Sequence, residues 1–234
     1  MPEINNPICV AIDTPDLERA SFLAQSLKGH VGYLKVGMEF YYAHGQAGYM
    51  EMARHEVPIF LDLKLHDIPN TVANGLKALM QLEIRPAIIN VHATGGPAML
   101  KAAADAIGGR AKLIAVTILT SLDDNDLNAV GFTPDMSTCD HATNLAKLAK
   151  QSGVDGVVCS PHDLQSIRHA CGTDFLTVVP GIRPQGADVQ DQKRVATPKS
   201  AIESGADILV IGRAITGTDH PADAAHGILE SLSM

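Results

Sequence analysis

The chain has 234 residues, 46% of them hydrophobic, enough to bury a sizeable core as one large domain or two small ones. A net charge of −8 disfavours nucleic acid or an acidic membrane as partner, though not a small anionic substrate held by local charge in a cleft. Four cysteines without CxxC or zinc-finger spacing read as reduced thiols, and no apolar run reaches membrane-spanning length. Residues 1–7 lack a basic region followed by an apolar run, so no secretory signal is expected and a cytoplasmic protein is.

Residues 8–12 form a first apolar strand ending at Asp13, and Thr14 and Pro15 suit the cap and first position of a helix. Leu17, Ala20, Leu23, Ala24 and Leu27 follow at helical spacing, with Gly29 as the stop. Residues 33–37 are a second strand carrying Lys35, followed by a helix near 48–55. The third strand opens the stretch 60–71, FLDLKLHDIPNT, and its helix covers 72–82. Alternation along a strand points Asp62 and Lys64 to one face and Leu61 and Leu63 to the other.

Strand four covers 87–91 and ends at His92, and a helix covers 100–107. Strand five covers 113–119 and ends at Thr120, with a loop or cap over 123–128 and a helix over 141–151. Strands six (154–159), seven (175–179) and eight (207–211) end at Ser160, at Gly181 to Arg183, and at Gly212 and Arg213. A polar segment, 184–194, is long enough for a mobile loop. A faint echo, SGVDGVV at 152–158 and SGADILV at 204–210, fits repeated strand–helix units.

Eight apolar strands alternating with helices predict a parallel α/β fold, a (β/α)8 TIM barrel, as a single domain over residues 1–234. An open doubly wound sheet is the rival. It lacks support because no GxGxxG follows the first strand and polar residues close nearly every strand.

Barrel chemistry sits at the C-terminal strand ends, which here fall into two groups. The first is an alternating array of Lys35, Asp62, Lys64 and Asp67. Each charge stabilises the next by about 4 kcal/mol per close pair at an effective dielectric near 20. Such an array keeps Lys64 charged as a proton donor and the carboxylates ionised. A self-satisfied buried ion pair is the plainer reading, but a third charge and a Pro-Asn-Thr turn follow at once. Asp62 and Asp67 have the chemistry to ligate Mg2+, yet two interleaved lysines oppose a divalent ion, so no metal or cofactor is expected.

The second group is Arg183 after strand seven and Gly212 with Arg213 after strand eight, where many barrels hold a phosphate. Either arginine alone reads as a solvated surface residue; the pair at these two loops favours anion binding. His92 has a weaker claim, since a core histidine bonded to a carbonyl explains it equally well. No Ser-His-Asp order or Cys-His pair suggests a covalent nucleophile.

The segment 62–71, DLKLHDIPNT, closely resembles the signature of the bacterial orotidine 5′-phosphate decarboxylase family. The likeness continues through AID at 11–13, LKVG at 34–37, NVHA at 90–93, LTS at 119–121, VPGIRPQG at 179–186, Asp191 with Gln192, and VIGR at 210–213. Such a resemblance implies cofactor-free conversion of orotidine 5′-phosphate to UMP and CO2, the last step of de novo pyrimidine synthesis, in a homodimer. Lys35, Asp62 and Lys64 would act from one chain, with Asp67 and Thr71 reaching into the neighbour's site. Asp13 and Lys35 would hold the ribose, Thr120 the pyrimidine edge, and Arg183, Gln192, Gly212 and Arg213 the phosphate. Two rivals are a Mg2+-dependent sugar-phosphate decarboxylase or aldolase of the same superfamily and a non-catalytic phosphate-binding barrel. The former carries an acidic ligand where this chain has Lys35; the latter has no need of the whole Lys-Asp-Lys-Asp set.

Overall fold

Short runs of β-branched and aliphatic residues, apolar on both faces, favour strands buried from both sides, and parallel pairing with helical crossovers is the arrangement that covers them. The computed structural model describes residues 6–183 and 196–232, and eight such parallel strands among them close a barrel in sequence order. They are β1 (Ile8–Ile12), β2 (Tyr33–Gly37), β3 (Ile59–Leu65), β4 (Ile88–His92), β5 (Lys112–Val116), β6 (Gly156–Val158), β7 (Leu176–Val179) and β8 (Ile208–Ile211). Closure comes from β8 pairing with β1, Cys9 facing Val210.

Alternation sorts the strand side chains into two cores. Cys9, Phe60, Ile88, Ile114, Val178 and Ile208 pack inside the barrel, while Ile8, Val10, Leu34, Leu61 and Leu209 face the surrounding helices. The interior is therefore a filled plug, with chemistry left to its C-terminal rim. Gly156 is required on β6, since a Cβ there would sit 2.3 Å from the Leu176 carbonyl oxygen.

The helices are α1 (Leu17–Leu27), α2 (Met38–Ala53), α3 (Pro69–Leu79), α4 (Gly96–Ile107), α5 (Asp124–Ala129), α6 (Thr138–Gln151), α7 (Leu164–Cys171), α8 (Pro198–Glu203), α9 (Arg213–Thr216) and α10 (Pro221–Ser231). Three differ from the sequence reading in instructive ways. The cap of α1 is Asp16, whose carboxylate accepts the Arg19 N–H at 3.1 Å; Thr14 instead accepts the Asp16 N–H at 3.2 Å. A carboxylate is the stronger acceptor for an orphan N–H, so the helix starts two residues later than Pro15 suggests.

The second helix begins at Met38, ten residues before the expected start, and carries an internal break at Gly45, φ 57°. That break disrupts the apolar period and hides the first half of the helix, which buries Phe40. Residues 123–128, read as a loop or cap, contain α5, started by a capping box in which Asp123 accepts the Asp126 N–H and Asp126 accepts the Asp123 N–H. With Ile118, Leu122, Phe132 and Ala142, Leu127 of α5 builds a small apolar cluster beside the barrel rim. Strand β5 stops at Val116, three residues short of the expected end at 119, so Leu119 and Thr120 belong to the segment that follows the strand.

The internal echo is a repeated fastening. Gly153 and Gly205 both adopt positive φ, and the aspartates that follow them, Asp155 and Asp207, each take a backbone N–H from the preceding strand, of Leu113 and of Thr177. A cation completes each: Lys112 at 2.8 Å from Asp155, Arg168 at 2.5 Å from Asp207. These pairs lock adjacent strands at the N-terminal end of the barrel.

Candidate active site

Three strand ends bring four charged side chains together. Lys35, on β2, lies 3.0 Å from the Asp13 carboxylate at the end of β1 and 3.3 Å from that of Asp62 on β3. Lys64, two residues along β3, donates to Asp62 Oδ1 at 2.6 Å. Room for the Asp13–Lys35 contact depends on Gly37, where a Cβ would stand 3.2 Å from the lysine Nζ and 3.3 Å from the aspartate oxygen.

Asp62 is the anchor, only 7% exposed. Burial opposes its ionisation, but Lys35, Lys64 and a hydrogen bond from Asn90 outweigh that and hold its carboxyl below the usual aspartate value. Burial likewise works against the Lys35 ammonium, and Asp62 with Asp13 more than offsets it, leaving its pKa raised. Both groups are thus charged at neutral pH. Asp62 therefore fixes two ammonium groups at the barrel mouth, charge already in place before a ligand arrives, with Asp13 as a second partner of Lys35.

Local backbone departs from an ideal strand here. Leu61 pairs with Ile89 and Leu65 with Val91, so three residues of β3 face one of β4. Within this bulge Lys64 adopts φ 52°, a conformation that costs an L-residue free energy and that concentrates at functional sites. Asn90 fills the gap from β4: its Oδ1 accepts the Lys64 N–H at 2.8 Å and its Nδ2 donates to Asp62 Oδ1 at 2.6 Å. The sequence reading includes Asn90 in the NVHA likeness at 90–93 but gives it no role. The available signal was an amide inside an apolar run, which when fully buried must find partners.

Lys35, Asp62 and Lys64 line one wall of a cavity of about 550 Å3, faced by Thr120 and Ser121 and walled by Phe60, Ile118, Leu119 and Pro180. A second cleft, sharing Lys35, Pro180 and Val210 with the first, is lined by Asp13, Gly181, Arg183, Gly212 and Arg213. The strand-seven and strand-eight groups therefore converge on one cleft that opens beside the charged array. Arg183 is set there by backbone bonds between Gly181, Arg183 and Ala196 at the base of segment 184–195. Gln192 and the expected loop over 184–194 lie outside the described residues.

Asp67 and Thr71 do not join the array within the chain. Both are exposed, and the Asp67 carboxylate turns back onto the Ile68 N–H at 2.6 Å. Asp67 lies beyond the end of β3, so strand alternation no longer governs its direction. The ring of His92, at the end of β4, lies 5.4 Å from that of His66 and tilted by 39° to it, and burial, His66 and Lys64 hold its pKa below the ordinary histidine value. Among the described residues, no group of three or more His, Cys, Asp or Glu is placed to hold a metal ion.

Comparison with known proteins places this geometry in a family. The chain is 50% identical to the orotidine 5′-phosphate decarboxylase of Sphingopyxis alaskensis and 48% identical to that of Novosphingobium aromaticivorans, each over 98% of this chain and the whole of the relative. The crystal structure of orotidine 5′-phosphate decarboxylase from Lactobacillus acidophilus superposes with a TM-score of 0.85 at 37% identity, over 98% of this chain and all of that one. A family profile matches residues 6–228, nearly the whole barrel, and by that match the chain belongs to the orotidine 5′-phosphate decarboxylase / HUMPS family.

Proposed function

We propose that this protein decarboxylates orotidine 5′-phosphate to UMP and CO2 without metal or cofactor. The observation that carries the reading is the Lys35–Asp62–Lys64 array, opening onto the arginine-lined cleft. Loss of CO2 from C6 of the pyrimidine leaves a carbanion with no adjacent electron sink. Catalysis then depends on charge already in place where the negative charge develops. The Lys64 ammonium supplies that charge and afterwards the proton, leaving UMP.

In this reading the cavity beside Thr120 takes the pyrimidine, with Thr120 on its polar edge, and Asp13 and Lys35 hold the ribose hydroxyls. Arg183, Gly212 and Arg213, with Gln192 from the segment outside the described residues, hold the phosphate. The phosphate is remote from C6, so its binding energy is available for orientation at the reacting carbon. Asp62 holds both ammonium groups in line with C6. Asp67 and Thr71, exposed next to Ile68 at 65% exposure, are assigned to the site of a second copy in a homodimer. Partners other than substrate and a second copy, such as nucleic acid or membrane, have no part in the proposal.

The family also contains sugar-phosphate enzymes, and the same assay separates the two readings. EDTA-treated protein mixed with orotidine 5′-phosphate is expected to give UMP, followed by the change in pyrimidine absorbance. No change in absorbance, or turnover only after Mg2+ is added, overturns the proposal. Lys35 supports the expectation, because an ammonium 3.3 Å from Asp62 stands where a divalent cation would have to approach that carboxylate.

A further inference from the structure

We propose that Asn90 is the positioning residue of this site, fixing both the strained backbone of Lys64 and the carboxylate of Asp62. The inference rests on the decarboxylase reading for its kinetic consequence, and on the structure alone for its geometric one.

The bulge in β3 poses two problems at once. It removes the Lys64 N–H from the regular ladder, and an unpaired N–H beside a closed barrel wall is unfavourable. It also puts Lys64 at φ 52°; the other non-glycine residue with positive φ among those described is Glu56, in a turn between α2 and β3. A conformation of this kind persists only where its surroundings determine it.

Asn90 answers both problems with one side chain. Its Oδ1 accepts the Lys64 N–H at 2.8 Å, which ties the bulge to β4. Its Nδ2 donates at 2.6 Å to Asp62 Oδ1, the oxygen that also accepts from the Lys64 ammonium at 2.6 Å. The amide orientation is dictated by its partners, since a backbone N–H needs an acceptor and an ionised carboxylate needs a donor. Lys64 is consequently held at both ends: its main chain by the Asn90 oxygen, its ammonium by a carboxylate that the Asn90 nitrogen orients.

No other residue type does the same. Leucine has the shape without either bond. Aspartate keeps the acceptor but turns a second carboxylate on Asp62. Glutamine adds a methylene inside a side-chain site that is fully buried. Asn90 does not line the cavity, so it acts through Lys64 and Asp62 rather than on the substrate.

Asn90→Ala and Asn90→Asp test this with two independent readouts. Crystal structures come first and need no activity: in Asn90→Ala, Lys64 is expected to leave the positive-φ region and its ammonium to move away from Asp62. An unchanged Lys64 in that structure overturns the proposal, whether or not the protein turns over orotidine 5′-phosphate. Kinetics come second. Asn90→Ala is expected to lose on the order of 100-fold in kcat, the scale of a misplacement of about 1 Å. Its KM should stay within about threefold, and UMP binding should remain near one per chain.

Asn90→Asp keeps the Lys64 backbone bond and is expected to lose at least about tenfold in kcat through Asp62 alone. If Asn90→Ala does not fold, this second variant carries the test by itself. Turnover within threefold of the parent in Asn90→Asp, or a loss in Asn90→Ala shared equally between kcat and KM, overturns the kinetic half. A parent protein with no turnover on orotidine 5′-phosphate refutes the decarboxylase reading instead, and the crystal structures still judge Asn90.

Discussion

Arg168 at the base of the barrel and Lys64 at its mouth are both cations drawn into the protein, yet they use their hydrogen bonds differently. The Arg168 guanidinium donates to the carbonyls of Phe175 and Gly205 at 2.6 Å, to Thr177 Oγ1 at 2.7 Å and to Asp207 at 2.5 Å. Longer bonds reach the carbonyls of Gly172 and Thr173, both at 3.3 Å. Every side of the fork is taken by the chain's own atoms. The Lys64 ammonium instead makes one hydrogen bond among the described residues, to Asp62, and lines a cavity. A saturated cation stabilises; one with donors to spare and a cavity before it is available to a ligand. Position agrees, since chemistry in such barrels sits at the C-terminal strand ends and stability at the N-terminal ones.

The largest expected effect tests the mouth. Lys64→Ala should lower kcat by roughly 10^3-fold or more, combining lost proton delivery with lost charge stabilisation. UMP affinity, by calorimetry, should change by less than about tenfold, since an interaction made mainly in the transition state adds little to product binding. Equal losses in turnover and in UMP affinity would make Lys64 a binding residue and blur the contrast with Arg168.

Hybrid dimers sharpen the difference further, because the base network is complete within one chain and the mouth, in our proposal, is not. Equal amounts of inactive Lys64→Ala and Asp67→Ala chains, allowed to exchange, should recover about a quarter of parental activity: random pairing makes half the dimers mixed, each with one intact site. Exchange demonstrated by mass spectrometry without any recovery would confine each site to a single chain.

Arg168→Ala reverses the pattern. Its ion pair with Asp207 is largely buried, with side-chain exposures of 14% and 24%, and removing one partner from such a pair costs about 3–5 kcal/mol. For a barrel of this size the melting temperature should fall by on the order of 10 °C. Turnover per folded molecule, titrated with UMP, should stay within about twofold of the parent, as expected of a site remote from the change. A parallel fall in turnover and stability would show that the two ends are coupled.

What the sequence disclosed follows the range of each interaction. Strand runs and the alternation that puts Asp62 and Lys64 on one face are local, and both were readable: Leu63 and Leu65 pack against the outer core as the period demands. The convergence of Arg183 with Gly212 and Arg213 followed from barrel closure, itself implied by counting units. Registry between β3 and β4 is non-local, so neither the bulge nor the task of Asn90 could be read from spacing. Helix α5 was missed because its acidic stretch has the composition of a loop, and only the reciprocal bonds of Asp123 and Asp126 make it a helix start. Arg168 gave no signal, because its partners are mostly backbone carbonyls, in 172–177 and in the distant 205–207, and a carbonyl partner leaves no mark in residue type. The echo around Asp155 and Asp207 was legible as a repeat, but its purpose needed the strand pairs on either side.

The smallest expected effect separates the two ends by pH. His92 sits at the mouth against His66 and Lys64, and burial together with both neighbours lowers its pKa; Asp62 opposes them without reversing the shift. A histidine with a lowered folded pKa is neutral in the native state while the unfolded chain already binds a proton. Stability therefore rises with pH between the lowered value and the unfolded value near 6.5. On acidification the loss begins as pH falls below about 6.5 and ends once the native histidine is itself protonated. Urea midpoints at pH 7.5 and pH 5.0 should show the parent losing more stability than His92→Gln. Arg168→Ala, which removes no histidine, should keep the parental slope from a lower starting point. Equal slopes in the parent and in His92→Gln would mean that the mouth tolerates charge on His92, and that its burial and the neighbouring His66 and Lys64 oppose protonation less than their placement implies.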